Sequence, residues 1–487
     1  RPEVAAGFRV FDLSTPLYSP EARAIGETWF DLIEHTLRRG VHIRMWLSDF
    51  DCIVGTELHQ GSWHSARQFY AAAELAGPRS HLELYVSLHP AEAGTLSRLL
   101  LWPLANKRLR DRLEKMSQKD LHALLDELRE MPALDSITQR IGARLQKRGM
   151  GPLPLAPATH HQKLAVFDRE KLYIGGLDLN ERRYDTKEHD QPAEETWHDV
   201  QVLVEGAVVG DALRHLESFS EVVAGHRRPE PVRSGAFLRT LSRRRIFGPT
   251  SIAPVSVCDD FVAAHRRLAV DSQQLIYFET QYFRDRRLTR HLARAAQDNP
   301  NLRMILIVPA APEEVAFDHN YGIDSRFGEH LQARAFRQLI AVFGDRLFIG
   351  SPVQRRREIA SDRSTLAAAP IVYVHAKVSI FDSSAAIISS ANLNGRSMRW
   401  DTEAGLLFRR EAHVRHLRER LFGHWWPDAD PAGELFDPAT AQQAWAHHAL
   451  ANVNSVPERR HGFIVPYDLH PGEELAEPLP IAPEEMV

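Results

Sequence analysis

Short apolar runs separated by longer amphipathic stretches set the first expectations for this chain. VHIRMWLSD (41–49) and HLELYVSL (81–88) read as buried strands, and AIGETWFDLIEHTLRR (24–39) has the spacing of an amphipathic helix. LAVFD and KLYIGG form a strand pair about a turn at Arg169–Glu170; VQVLVEG (200–206) is a further strand and GDALRHLESFSEVVAG (210–225) a helix. The order then recurs. Helices are expected over 261–270, 288–298 and 334–344, with strands at LIYFETQYF (275–283), LRMILIVPA (302–310) and DRLFIG (345–350). YVHAKVSIFD (373–382) and AAIISSAN (385–392) close the series. Strands alternating with helices predict an α/β architecture with a largely parallel sheet component.

The polar residues inside two of these strands carry a repeated pattern. His161-x-Lys163-x4-Asp168 lies in THHQKLAVFD, and His375-x-Lys377-x4-Asp382 lies in YVHAKVSIFD, with the histidines 214 residues apart. Each is followed by a small-residue turn and an Asx cluster: Gly175, Gly176, Asp178 and Asn180, then Ser389, Ser390, Asn392 and Asn394. One match could be chance; two with similar downstream segments point to a duplicated half-site. Alternate residues of a strand share a face, so His161 and Lys163 point one way, as do His375 and Lys377. A histidine can act as nucleophile or general acid, and a lysine is a point charge suited to a phosphate oxygen. Two copies supply what a two-step phosphoryl transfer needs. His160, of opposite parity to His161, is read as support. Asp168 and Asp382 complete the candidate catalytic set, although a carboxylate ending a strand more often caps a turn than acts as a base.

These motifs resemble those of the phospholipase D superfamily. HHQK (160–163), GGLDLNERRYDT (175–186), WHD (197–199), IYFETQYF (276–283) and SSANLNGRSMRWDTE (389–403) extend the likeness to phospholipases D of the eukaryotic and related bacterial type. The resemblance implies two similar halves, each a mixed β-sheet flanked by helices, about a pseudo-two-fold axis with one shared cleft. It implies His161 as nucleophile, forming a phosphohistidine, and His375 as acid and then base. Lys163, Lys377, Asn180 and Asn392 would hold phosphate oxygens. Carboxylate partners for the histidines are sought in Glu279 for one half and Asp199 or Glu403 for the other. His198, Gln281 and Ser390 are supporting candidates. Ser389, Met398, Arg399 and Trp400 depart from the glycines of many relatives, so head-group selectivity is expected to differ.

On this reading the chain hydrolyses glycerophospholipids of the phosphatidylcholine or phosphatidylethanolamine class to phosphatidic acid, with transfer to alcohols as a side reaction. The alternatives are a cardiolipin synthase-like phosphatidyltransferase and a nucleic-acid phosphodiesterase. A binding scaffold with a relic site is disfavoured by six intact motif residues.

Composition narrows the partners. The 487 residues are 44% hydrophobic and 25% charged, ordinary for a large globular protein, and the net charge of −4 gives no hint of a polyanion binder. The resemblance implies a phospholipid surface as the partner; with no nucleic acid expected, the chain reads as a monomer that is soluble and peripheral to membranes. A delivered bacterial toxin, with an immunity or delivery partner, and a housekeeping lipid enzyme would carry the same motifs. Cys52 and Cys258 could pair but exclude a disulfide scaffold. No metal-ligand cluster is evident, so metal-independent chemistry with no cofactor is expected.

The boundaries follow composition. Residues 1–225 form the first half, with a helical insertion near 96–147 whose apolar start (Leu99, Leu100, Leu101, Trp102) beside Lys107, Arg108 and Arg110 suits a membrane interface. A basic linker spans 226–250, the second half 251–425, and a Pro- and acid-rich tail 426–487 is expected to wrap the surface or be disordered.

Overall fold

The computed structural model describes residues 2–142, 144–149, 151–245, 248–360, 362–479 and 482–486. In the first half β1 (Glu3–Phe8), β2 (His42–Ser48) and β3 (His81–Ser87) run parallel. The insertion follows, ending in a hairpin of β4 (Thr138–Ile141) and β5 (Arg144–Lys147). Then β6 (Leu164–Phe167), β7 (Lys171–Gly175) and β8 (Gln201–Glu205) pair antiparallel, giving the order β3-β2-β1-β6-β7-β8.

The second half repeats this arrangement. After β9 (Phe237–Arg243) and β10 (Val255–Asp259) come the parallel β11 (Leu275–Thr280), β12 (Arg303–Ile307) and β13 (Leu347–Pro352). A small hairpin, β14 (Thr365–Leu366) and β15 (Ala369–Pro370), precedes β16 (Lys377–Phe381), β17 (Ala385–Ser389) and β18 (Glu403–Phe408). The order β13-β12-β11-β16-β17-β18 matches that of the first half in position and direction. Isolated bridges repeat too, Phe11 to Leu179 in one half and Phe283 to Leu393 in the other. The duplication seen in the motifs is thus a duplication of topology, and each sheet is mixed rather than largely parallel.

Burial on both faces explains the near-continuous apolar strands. In β11, Ile276 and Phe278 join a core with Phe261, Leu292 and Phe336, while Leu275 and Tyr277 face Phe422, Trp425 and Trp445 on the other side. Helices Trp29–Arg38 and Thr56–Ala76 cover one face of the first sheet through Ile33, Leu37 and Phe69. Helix Ala207–Ala224 covers the other, in a core that also contains Phe237, Leu241, Ala404 and Leu406 of the second sheet. The two halves therefore share a core.

Three expectations are corrected, and the state of the cysteines, left open by the sequence, is settled. The helix expected over 24–39 begins only at Trp29, because Asp31 accepts the N–H groups of Glu27 and Thr28 and closes a capping box there. The basic linker contains β9, which pairs with both β10 and β18; Arg239 is neutralised by Asp260. The tail is ordered, since helix Ala441–Val453 buries Trp445 and β19 (Ile464–Pro466) extends the sheet beside β13. Cys52 and Cys258 are free, buried thiols. The insertion packs around its own core of Leu109, Leu113, Met116, Leu124 and Leu128, leaving Leu96, Leu99, Leu100 and Leu104 exposed. Among the described residues, no helix is long and apolar enough to cross a membrane.

The motif aspartates have a mechanical place in this scheme. Each follows its strand in a left-handed conformation, Asp168 with φ of 51° and Asp382 with φ of 52°. Asp168 accepts the backbone N–H of Glu3, and Asp382 accepts those of Gln273, Gln274 and Leu275 at 2.7–2.9 Å. Each carboxylate thus fastens the start of the neighbouring parallel strand to the motif strand. Charge-assisted hydrogen bonds of this kind are individually worth about 1.5–3 kcal/mol. We predict that Asp382→Ala lowers stability by about 2–3 kcal/mol in chemical denaturation, and that Asp168→Ala, which loses one such bond, lowers it less.

Candidate active site

The two HxK segments lead into β6 and β16 and meet where the halves join. Backbone pairing holds them reciprocally. His161 N–H donates to the Thr402 carbonyl at 2.9 Å, and His375 N–H donates to the His198 carbonyl at 2.8 Å. Thr402 N–H returns to Thr159, and His198 N–H to Tyr373. The next residue on each partner segment is a buried acid. Glu403 Oε1 lies 2.9 Å from His161 Nδ1, and Asp199 Oδ2 lies 2.6 Å from His375 Nδ1. Each half therefore holds the histidine of the other. Among the described residues, neither Nε2 has a hydrogen-bond partner.

The third acid offered by the sequence, Glu279, sits elsewhere. It contacts His198 Nε2 and accepts the Tyr277 hydroxyl at 2.9 Å. Gln281 donates to the hydroxyls of Tyr282 and Tyr373. His160 faces away from His161 and bonds Thr402 Oγ1 at 2.9 Å.

Close packing fixes the acids. A β-carbon on Gly176 would come within 2.3 Å of Asp199 Oδ1. At the matching place in the second half, Ser390 donates its hydroxyl to Glu403 and accepts the Ala404 N–H at 3.1 Å. One half accommodates its acid by removing a side chain, the other by bonding it.

The Asx clusters align in the order in which the sequence presents them. The Leu179 and Leu393 bridges put Asp178 opposite Asn392, and Asn180 opposite Asn394. Asn394 caps helix Gly395–Arg399 through the Ser397 N–H. The amide oxygens of Asn180 and Asn392 are buried without a partner. Asp178 lies 3.6 Å from Lys163 Nζ and 2.7 Å from Arg183 Nη1.

That difference separates the two lysines. Burial pushes Lys163 down, but Asp178 and Glu403 draw it back to about 8. Lys377 lies well below its ordinary range through burial, with Asp199 opposing and Lys163 and Arg183 adding to the shift. Lys163 is thus the more firmly charged. Lys377 Nζ also approaches His375 Nδ1 at 2.8 Å, a contact without counterpart at His161. Burial depresses both histidines, and their neighbours' charges reinforce it: Lys163, Arg9, Lys377 and Arg396 at His161; Lys377, Arg183, Lys163 and His161 at His375. Burial raises Glu403 to about 8 and Asp199 to about 6.

Arg9, Arg183 and Arg396 complete a cationic ring that sequence reading did not single out. Arg183 and Arg396 follow the Asx clusters closely in both halves, so comparing the repeats was the available signal. Arg9 had none, because the fold alone brings the end of β1 to the site. A cavity of about 370 Å³ lined by Phe11, Ser62 and His64 shares Arg9 and Asn180 with these surroundings. Two imidazoles with free Nε2 atoms, ringed by lysines and arginines, suit an anionic phosphodiester: one nitrogen to attack, one to pass a proton, cations to hold the charge.

Residues 267–426 match the family model described as cardiolipin synthase, PLD-like domain. Among solved structures, phosphatidylserine synthase of Haemophilus influenzae is similar at 11% identity over 94% of this chain and 90% of its own, with a TM-score of 0.47. A polyphosphate kinase of Porphyromonas gingivalis is similar at 10% identity and a TM-score of 0.40; the match covers 86% of this chain but only 42% of that kinase. The phospholipase D family member Nuc of Salmonella typhimurium is similar over 34% of this chain and 85% of its own, at 11% identity and a TM-score of 0.21. No curated protein gives a significant match.

Two outcomes follow from the geometry. Glu403 is ionised above about 8 and Lys163 is charged below about 8, so both charges coexist best near that value. Turnover, read as kcat/KM against pH, should peak there and fall on both sides; a flat profile would place these groups outside the chemistry. Gly176→Ala should displace Asp199 and lower kcat by about 10-fold or more while leaving the fold intact by circular dichroism.

Proposed function

We propose that this chain, whose residues 267–426 match a PLD-like domain model, is an enzyme of phospholipase D type that hydrolyses glycerophospholipids to phosphatidic acid and the free head-group alcohol through a phosphohistidine. The observation that carries the reading is the reciprocal arrangement of two HxK segments, each with Nδ1 engaged by the other half and Nε2 free.

The two rings differ in a way that suits two roles. Nδ1 of His161 meets a carboxylate, which favours the proton on Nδ1 and a lone pair on Nε2. His161 Nε2 attacks phosphorus and the bond to the head-group oxygen breaks. At His375, Nδ1 meets Lys377 Nζ as well as Asp199, so this ring, unlike that of His161, can carry its proton on Nε2. That proton goes to the departing oxygen. His375 then takes a proton from water, the water oxygen attacks phosphorus, the phosphorus–nitrogen bond breaks and His161 is restored. An alcohol in place of water yields a phosphatidyl alcohol. Lys163, Lys377 and the nearby arginines hold the non-bridging oxygens. The exposed Leu96, Leu99, Leu100 and Leu104 suit contact with a phospholipid surface.

The family model's own description favours a second reading, phosphatidyl transfer to a lipid alcohol in the manner of a cardiolipin synthase.

The test is mass spectrometry of mixed phospholipid vesicles incubated with the protein and ethanol. Phosphatidic acid and phosphatidylethanol are expected, abolished in His161→Ala and reduced by about 10²–10⁴-fold in His375→Ala. Cardiolipin formed from phosphatidylglycerol would favour the second reading. Substantial residual turnover in folded His161→Ala would overturn the assigned nucleophile, and no lipid turnover by folded wild-type protein would overturn the substrate class.

A further inference from the structure

Behind His375 the fold gathers three histidines that the sequence leaves far apart. His189, His198 and His424 each offer a ring nitrogen, and the three nitrogens lie within 4.8 Å of one another. We propose that these residues bind a divalent transition-metal ion, zinc foremost, which clamps the 185–199 segment of the first half to the second.

Four observations support a metal. First, the donors are of one chemistry, imidazole nitrogen, and His189 and His198 are buried. Second, His189 Nε2 and His424 Nε2 lie 2.9 Å apart, a few tenths of an ångström closer than two imidazoles at tetrahedral positions of one zinc. A simple hydrogen bond would account for that pair. It would leave the His198 ring, whose centroid lies 4.5 Å from that of His424, with no role beyond its contact with Glu279. Third, carboxylates stand behind two of the rings. Asp185 Oδ2 accepts His189 Nδ1–H at 2.6 Å, and Glu279 contacts His198. Orientation of ligating imidazoles by carboxylates is the usual outer layer of such sites. Fourth, His424 lies in the last turn of helix Glu411–Trp425, where the helix dipole favours a cation. Lys187 is a cationic side chain near His424 that opposes the ion.

The position gives the ion a structural role. The His198 carbonyl accepts the N–H groups of both His375 and Ala376, and the next residue, Asp199, holds the His375 ring. Fixing His198 therefore fixes the second motif. Three nitrogens leave a fourth position for water.

The full chain, stripped with chelator and dialysed against zinc, should retain about one ion per chain by elemental mass spectrometry and melt at a higher temperature than the stripped form. Cobalt in place of zinc should give the visible bands of a four-coordinate site. His189→Ala and His424→Ala should lose the ion, while His447→Ala, on the outer part of its helix, should keep it. Asp185→Asn preserves shape and should weaken binding by about 10–100-fold. Absence of retained zinc and of any thermal shift in wild-type protein would overturn the proposal, as would full retention in both histidine variants. Neither readout involves turnover, so the result stands apart from the lipid reading above.

Discussion

A buried carboxylate reaching across the boundary between two repeats governs this molecule. Glu403 of the second half orients His161 of the first, and Asp199 of the first orients His375 of the second. Both contacts sit on short backbone bridges between the halves, His160 with Thr402 and His198 with Val374. Neither half alone would leave an oriented imidazole. The shared core of Phe237, Leu241, Ala404 and Leu406 with Leu164, Val166 and Phe219 fixes the relative position of the sheets on which those contacts depend.

Duplication supplied the symmetry, and small departures from it set the chemistry. Asp178 stands where the second half has Asn392, so one lysine has a buried counter-ion that the other lacks. Gly176 beside Asp199 in the first half corresponds to Ser390 beside the longer Glu403 in the second. Burial acts on every ionisable group of the cleft, but these substitutions decide how much of it is opposed. Two sites of the same backbone design thereby acquire different proton affinities, which a sequence of attack and protonation requires.

Much of this was legible in the chain. The HxKx4D repeats gave the duplication because strand alternation places His161 with Lys163, and both faces of β11 and β12 are buried, so their apolar runs were unambiguous. The crossed pairing was not legible: Glu279, Asp199 and Glu403 were all in suitable segments, and only tertiary placement sends Glu279 to His198. The segment at 226–250 looked like a linker because arginines dominate its composition, yet Thr240 and Ser242 are fully buried within β9. The tail was misjudged for the same reason: its acidic end hid Trp445 and Phe463, which pack against Trp425 and Trp426. The histidine cluster was invisible because His424 lies 235 residues from His189.

The long reach of these contacts also bears on how the protein is made. Strand β1 must wait for β6, and His161 must wait for an acid 242 residues further along the chain. Contacts of such separation form late, after the loops between them have closed. On a ribosome, the first motif emerges long before the residue that orients it. A growing polypeptide, or one cut short before Glu403, therefore carries the histidine without its acid, and the reactive centre comes into being only once that residue has been made.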